Sequence, residues 1–343
     1  MTNQPLNRFA WTEAGIFEVS EGVYRIPLPL PNDGLRAINV YLIVEDGNLT
    51  CVDSGWSIPE SKELLGKGLN SLGFELSDVS RFLITHVHRD HYSQALEIRK
   101  NLGTKIALGS KEKPSLDLYR THSRNPMFAQ IKRLQEVGAN SIAKTISDWM
   151  NEHVEDGLGW EPPDVWMEEG PIHLKERTLD AIETPGHTAG HLVFHDKKAA
   201  LLFAGDHVLP TITPSIGFEP ILQSNPLGDY LRSLAIIKSL PDAILLPGHG
   251  PVAPSAHARV DQLFDHHAER LDLIEKAVEA GFVTAFAIGG ALKWTRHEHK
   301  LEDLDPFNAM LAVLEVSAHL EVLVTQGRVK ESTTENLLTY ATS

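Results

Sequence analysis

The chain has a single cysteine, Cys51, in 343 residues, so no intrachain disulfide can form. That agrees with a reducing compartment. Cys51 lies in the apolar run LTCVD and reads as a small buried hydrophobe, not a reactive thiol. No stretch approaches a membrane span, and the opening segment MTNQPLNRFAWTEAG has no basic region leading into an apolar one. The expectation is a soluble, cytoplasmic protein with no membrane partner. Runs of Lys and Arg with interleaved aromatics are missing as well. With 31 basic and 46 acidic residues the formal charge is -15, a field that repels polyanions. Lys111, Lys113, Arg120 and Arg124 are scattered and read as a solvated face. Nucleic acid is disfavoured as a partner. No internal repeat or low-complexity tract interrupts the chain.

Ligand-type side chains are abundant in their place. In RFLITHVHRDHYS, His86, His88, Asp90 and His91 crowd into six positions after the apolar residues 82–84, so a strand ends where a ligand-bearing loop begins. Imidazoles and carboxylates without thiolate suit zinc, iron or manganese, and so dense a cluster would be a costly way to fill a core. Three later segments repeat the pattern of apolar strand, small-residue turn and ligand. His187 lies in ETPGHTAGH, Asp206 follows LLFAG, and His249 follows AILLPG. A lone carboxylate at position 206 can bridge two cations.

These motifs, with Asp53 in CVDSG, resemble the metallo-β-lactamase-fold hydrolases over about residues 17–255, in that family's order: CVDSG, THVHRDH, TPGHTAGH, AGDHV and LPGHG. The resemblance implies that His86, His88 and His187 hold one metal, that Asp90, His91 and His249 hold a second, and that Asp206 bridges them. Zinc is the expected ion, with iron or manganese accepted by the same donors. Ser93 departs from a frequent glycine after the histidine block without removing a ligand. True β-lactamases of this fold lack the bridging Asp and often use a Cys ligand, so antibiotic hydrolysis is not expected. The full set instead resembles the glyoxalase II, lactonase, organophosphate hydrolase and RNA- or phosphodiester-cleaving branches.

The chemistry follows from the donors. Two cations about 3.5 to 4 Å apart lower the pKa of a shared water towards about 7 and make hydroxide available at neutral pH. Asp90 is the expected orienter of that hydroxide and proton carrier to the leaving group. The acidic composition favours a small ester, thioester or lactone as substrate, with an endoribonuclease or phosphodiesterase of the same fold as the alternative. Asp53, ending a strand near the site, is expected to anchor a ligand imidazole. His191 and His207 are read as structural neighbours of ligands, His266 and His267 as surface residues, and Tyr230 as either reaching the site or packing.

Alternating strand and helix patterns predict an α/β fold, and the resemblance makes it a four-layer αββα sandwich. Residues 1–255 would form the catalytic domain, with a helix around 58–72 and a helical insertion at about 110–167. Its apolar side chains at helical spacing, Phe128, Ile131, Leu134 and Val137, predict amphipathic helices beside the metal mouth. Met127, Phe128, Trp149, Met150, Trp160 and Trp166 are candidates for an apolar acyl pocket. Residues 256–343 resemble a small winged-helix-like domain. From 261 to 343 there are 14 acidic and 7 basic residues, which argues for a packing or homodimerisation element over a DNA-binding one.

Overall fold

Side-chain alternation along the strands builds the molecule. In this computed structural model, residues 8–31, 33–121, 127–152, 159–221, 223–295 and 298–343 are described. Strands β1 (Phe17–Ser20), β2 (Val23–Pro29), β3 (Ala37–Glu45), β4 (Asn48–Val52), β5 (Val79–Ile84), β6 (Lys105–Gly109) and β7 (Val165–Met167) form one sheet in that order. Its first four strands pair antiparallel, and β4 to β7 run parallel. The parallel pairs need crossovers, supplied by α1 (Pro59–Ser71), α2 (Arg89–Leu102) and the helices of the insertion, α3 (Lys113–Thr121), α4 (Phe128–Glu136) and α5 (Asn140–Glu152). The insertion therefore returns the chain to the first sheet as its edge strand.

The second sheet has the order β12 (Ile244–Pro247), β11 (Leu201–Gly205), β10 (Leu192–Asp196), β9 (Thr178–Glu183), β8 (Gly170–His173). Period-two patterning fills three layers of core. Leu83, Tyr41, Phe194, Phe203 and Leu246 face inward between the sheets. Phe82 and Ile84, one position either side of Leu83, point outward onto Leu65 and Leu69 of α1 and Ala95 of α2. On the other sheet Val193, Leu202 and Leu245 point outward onto α6 (Pro226–Ser239) and α7 (Ala256–Glu279), through Leu227, Leu234, Val260 and Leu263. Helix, sheet, sheet, helix is the order expected.

The remaining elements, α8 (Ala285–Ala291), α9 (Pro306–Thr325) and the hairpin β13 (Val329–Thr334) with β14 (Leu337–Thr342), share one continuous apolar cluster with α4 to α7. Asp305 caps α9 by accepting from the Phe307 and Asn308 amides at 3.1 Å, with Pro306 in the first turn. The expectation that no stretch approaches a membrane span is corrected by α9. This helix is long and apolar enough to cross a membrane, yet 67% of its most apolar window is buried between its neighbours. A helix apolar all round belongs in a core.

The insertion aromatics also pack differently from the acyl-pocket reading. Trp160 stacks on Tyr119 and Tyr92, with ring centroids 4.9 and 6.2 Å away. Trp166 joins the same outer core, and Met127 and Met150 pack into the cluster around α9. Trp149 is half exposed. The scattered cations behave as a solvated face: Lys111 pairs with Glu183, and Lys113 and Arg120 with Asp117. Arg124 lies outside the described residues, as does the start of the opening segment, 1–7.

Candidate metal centre

All seven expected donors come from loops at one edge of the sandwich. Strand β5 delivers Thr85 and His86. His88 then stands at the N-cap of α2, whose first turn carries Asp90 and His91. The loop from β9 to β10 carries His187, the end of β11 carries Asp206, and the end of β12 carries His249. Close approach dictates the glycines that precede three of them. A Cβ on Gly186 would fall 2.5 Å from the Tyr230 Cβ, one on Gly205 2.6 Å from Thr85 Oγ1, and one on Gly248 2.5 Å from Asp206 Oδ1.

The donor atoms converge in three overlapping groups: His86, His88 and His187; His86, His91 and Asp206; Asp90, His91 and His249, each with its atoms within 4.8 Å of one another. Asp206 joins them. Its Oδ1 lies 3.4 Å from both His91 Nε2 and His249 Nε2, while Oδ2 lies 3.6 Å from His187 Nε2. Asp90 Oδ2 is 3.2 Å from His249 Nε2, and His88 Nδ1 is 3.1 Å from His187 Nε2. Asp90 is the most open of the carboxylates, with 21% of its side chain exposed.

The outer hydrogen bonds fix which imidazole nitrogen is free. His187 Nδ1 donates to the Ser215 carbonyl at 2.8 Å and His249 Nδ1 to the Ala37 carbonyl at 2.7 Å, which leaves Nε2 of each as a lone pair facing the cluster. His91 Nδ1 contacts Asp53 Oδ2 at 2.8 Å, and Asp53 Oδ1 accepts from the Thr85 amide at 2.8 Å. The expected anchor is therefore in place. Asp53 holds a left-handed backbone, φ 60°, that aims its carboxylate back under β5. Nε2 of His86, His91 and His249 and Oδ1 of Asp206 are buried with no hydrogen-bond partner. Buried orphan donor atoms converging on a point fit divalent cations.

Electrostatics divide the site. Burial, reinforced by His91, His88 and His187, holds the His86 imidazole well below its usual range, and burial pushes His88 down to about 3. On the other side, burial would lower His249, but Asp206 and Asp90 overcome it and raise it to about 10. Burial disfavours the Asp206 carboxylate, and His249 and His91 outweigh that and keep it ionised. Asp206 and Asp90, with the uncharged imidazoles of His86 and His88, make a pocket that attracts cations, and a bound cation would displace the proton that the two carboxylates favour on His249.

The neighbouring histidines sort cleanly. His191 accepts from the Asp206 amide at 3.2 Å through Nε2 and meets Thr184 Oγ1 at 2.9 Å through Nδ1, so it supports the bridge residue from behind. His207 is fully buried against the Tyr230 ring, whose hydroxyl donates to the His207 carbonyl at 3.0 Å; Tyr230 packs and does not reach the cluster. The surface reading of His267 is wrong: it is 1% exposed and its Nδ1 lies 3.1 Å from His319 Nε2, because the polar face of α7 turns inward where α9 covers it. Ser93 packs by accepting the Ser57 amide at 2.9 Å. Sequence reasoning missed Phe218, whose ring stands 6.4 Å from His88, and the carbonyls of Ser215 and Ala37, which carry no side-chain signal.

Comparison with known proteins identifies the family and the fold. A probable metallo-hydrolase of Bacillus subtilis (strain 168) is 25% identical over 330 residues, covering 89% of this chain and 92% of that one. An atrochrysone carboxyl ACP thioesterase of Aspergillus fumigatus is 26% identical over 236 residues, 69% of this chain and 58% of the relative. Among solved structures, a metallo-beta-lactamase family protein from Thermus thermophilus superposes with a TM-score of 0.78 at 24% identity, covering 95% of this chain and all of that one. A beta-lactamase domain protein from Burkholderia ambifaria gives 0.76 at 24% identity, covering 96% of this chain and 95% of that one. The family described as the metallo-beta-lactamase superfamily matches residues 33–249, more than half of the sequence, and the chain belongs to that superfamily.

Proposed function

We propose that this hydrolase holds two divalent cations, zinc first among them, and cleaves a small ester, thioester or lactone. One observation carries the reading: the two oxygens of Asp206 face different donor groups, Oδ1 towards His91 and His249 and Oδ2 towards His187. His86, His88 and His187 would hold one ion, Asp90, His91 and His249 the other, with Asp206 shared. Bound there, such ions supply a nucleophile at neutral pH and polarise the scissile carbonyl.

The protein's own groups do the rest. Asp53, Ser215 and Ala37 hold the imidazole tautomers that leave Nε2 free. Asp90, the carboxylate most open to the mouth, is placed to carry a proton to the leaving group. Phe218 gives an acyl group an apolar surface beside His88. The thioesterase among the relatives supports a thioester within the acyl class.

The test is metal analysis of the purified protein, followed by hydrolysis assays on thioesters, lactones, phosphotriesters, phosphodiesters and RNA. Two metal equivalents and acyl hydrolysis are expected, with both metal content and activity lowered in Asp206→Ala. One equivalent per chain, unchanged in Asp206→Ala, would overturn the dinuclear reading. Activity confined to RNA would make the protein a nuclease of the same fold.

A further inference from the structure

We propose that Glu112 is a positioning residue for the metal centre: its buried carboxyl locks the loop carrying His187 to the loop carrying His86 and His88. The inference rests on the metal reading above and concerns a residue outside the seven donors.

Glu112 closes the short 3-10 turn Ser110–Glu112 that follows β6, and none of its surface reaches solvent. The Thr188 hydroxyl, one residue beyond His187, donates to Glu112 Oε1. The backbone amides of Val87, between His86 and His88, and of Gly190 favour the ionised form of the same carboxyl. A single side chain thus faces both ligand loops.

The glycines at this junction are there for space. A Cβ on Gly190 would lie 2.2 Å from the Glu112 nitrogen, and one on Gly109 2.5 Å from the Gly190 carbonyl oxygen. The end of β6, the turn and the His187 loop therefore press backbone against backbone. That loop is tied at its base, where the Thr184 amide donates to the His191 carbonyl at 2.9 Å, and around His187, where the Gly186 amide donates to the Thr188 carbonyl at 3.0 Å. Its far side, residues 188–190, leans on Glu112.

A carboxyl is an expensive filler for such a gap, and no Lys or Arg pairs with Glu112 among the described residues. Burial and the neighbouring Glu219 carboxyl push it well above the ordinary carboxylate range. An uncharged side chain of the same shape can do its work, so Gln is the conservative replacement. Asp, one methylene shorter, cannot reach Thr188 from the same backbone.

The experiment compares Glu112→Ala, Glu112→Asp and Glu112→Gln with the full wild-type chain by two measurements. Hydrogen exchange of the metal-free proteins reads the 85–92 and 184–191 segments, and competition with a chromophoric chelator reads zinc affinity. In Ala and Asp both segments should exchange about tenfold faster or more, with zinc affinity down about tenfold, while strands β10 and β11 keep their protection. Gln should restore both. If Glu112→Ala does not fold, the Gln and Asp pair decides. Wild-type exchange and affinity in Asp and Ala would overturn the proposal, as would faster exchange spread evenly through both sheets, which marks a merely structural role. A wild-type chain that takes up no zinc overturns the metal reading itself, and this role with it.

Discussion

At the residue scale, the candidate centre depends on the atoms that sit behind its donor side chains. Asp53 illustrates this. Its carboxylate accepts from the Thr85 amide and faces His91 Nδ1, so it orients one imidazole and ties two strand ends together. Asn tolerates the left-handed backbone at this position, so Asp53→Asn keeps the turn. With one oxygen retained for Thr85, its amide nitrogen faces His91 and cannot accept the ring proton. Zinc affinity in a chelator competition should fall about 10- to 100-fold with little change in the unfolding midpoint of the metal-free protein. Unchanged affinity would show that His91 does not depend on this partner. The candidate donors were legible in the sequence because each is a polar side chain in the segment that follows an apolar strand. So was Asp53, for the same reason. The Ser215 and Ala37 carbonyls were not, since any residue supplies one, and Glu112 gave no sign because its partners are distant in the chain.

At the element scale, strands and their alternation were legible, and helix faces less so. A stretch such as FDHHAERLDL reads as charged and exposed until α9 is laid across it. His267 of α7 and His319 of α9 then become a buried pair. His319 Nδ1 donates to the Glu315 carbonyl at 2.7 Å, so its Nε2 accepts from His267 Nδ1 at 3.1 Å, and both rings are neutral. Burial first, then the neighbouring imidazoles and Arg270, holds His267 well below its usual range, and burial pushes His319 down to about 3. Tyr230 and His266 also face the pair, and Glu315, bonded to Arg270, adds no free counter-charge. Unfolded imidazoles take up protons below about pH 6.5 while the native pair does not, so its contribution is intact above that pH and is lost as pH falls towards 3. Each histidine tilts stability by about 1.4 kcal/mol per pH unit in that window. Denaturant unfolding of the metal-free protein at about pH 7 and about pH 5 should show a smaller fall in a His267→Leu, His319→Leu double variant than in wild type, by up to about 4 kcal/mol. Equal falls would mean the pair is already solvated.

At the scale of the whole molecule, charge and shape act on the substrate together. A formal charge of -15 sets a mean field that repels polyanions, and the sequence has no run of Lys and Arg with interleaved aromatics. The C-terminal helices and hairpin lie in one apolar cluster with α4 to α7, which suits packing better than a nucleic-acid arm. On the proposed acyl reading, a substrate chain would meet Phe218, which stands 6.4 Å from His88 and backs onto Phe307 of α9 at 5.7 Å. Burying acyl surface there contributes about 25 cal/mol for each Å² removed from water. Lengthening the acyl group of a thioester series should therefore raise kcat/KM until the wall is covered, and the rate should vary little with salt. Phe218→Ala should flatten that dependence and leave metal content unchanged, whereas Trp149→Ala, on a half-exposed side chain, should not. A steep fall of activity with salt, together with cleavage of RNA in preference to every acyl compound, would place the substrate in the polyanion class despite the field.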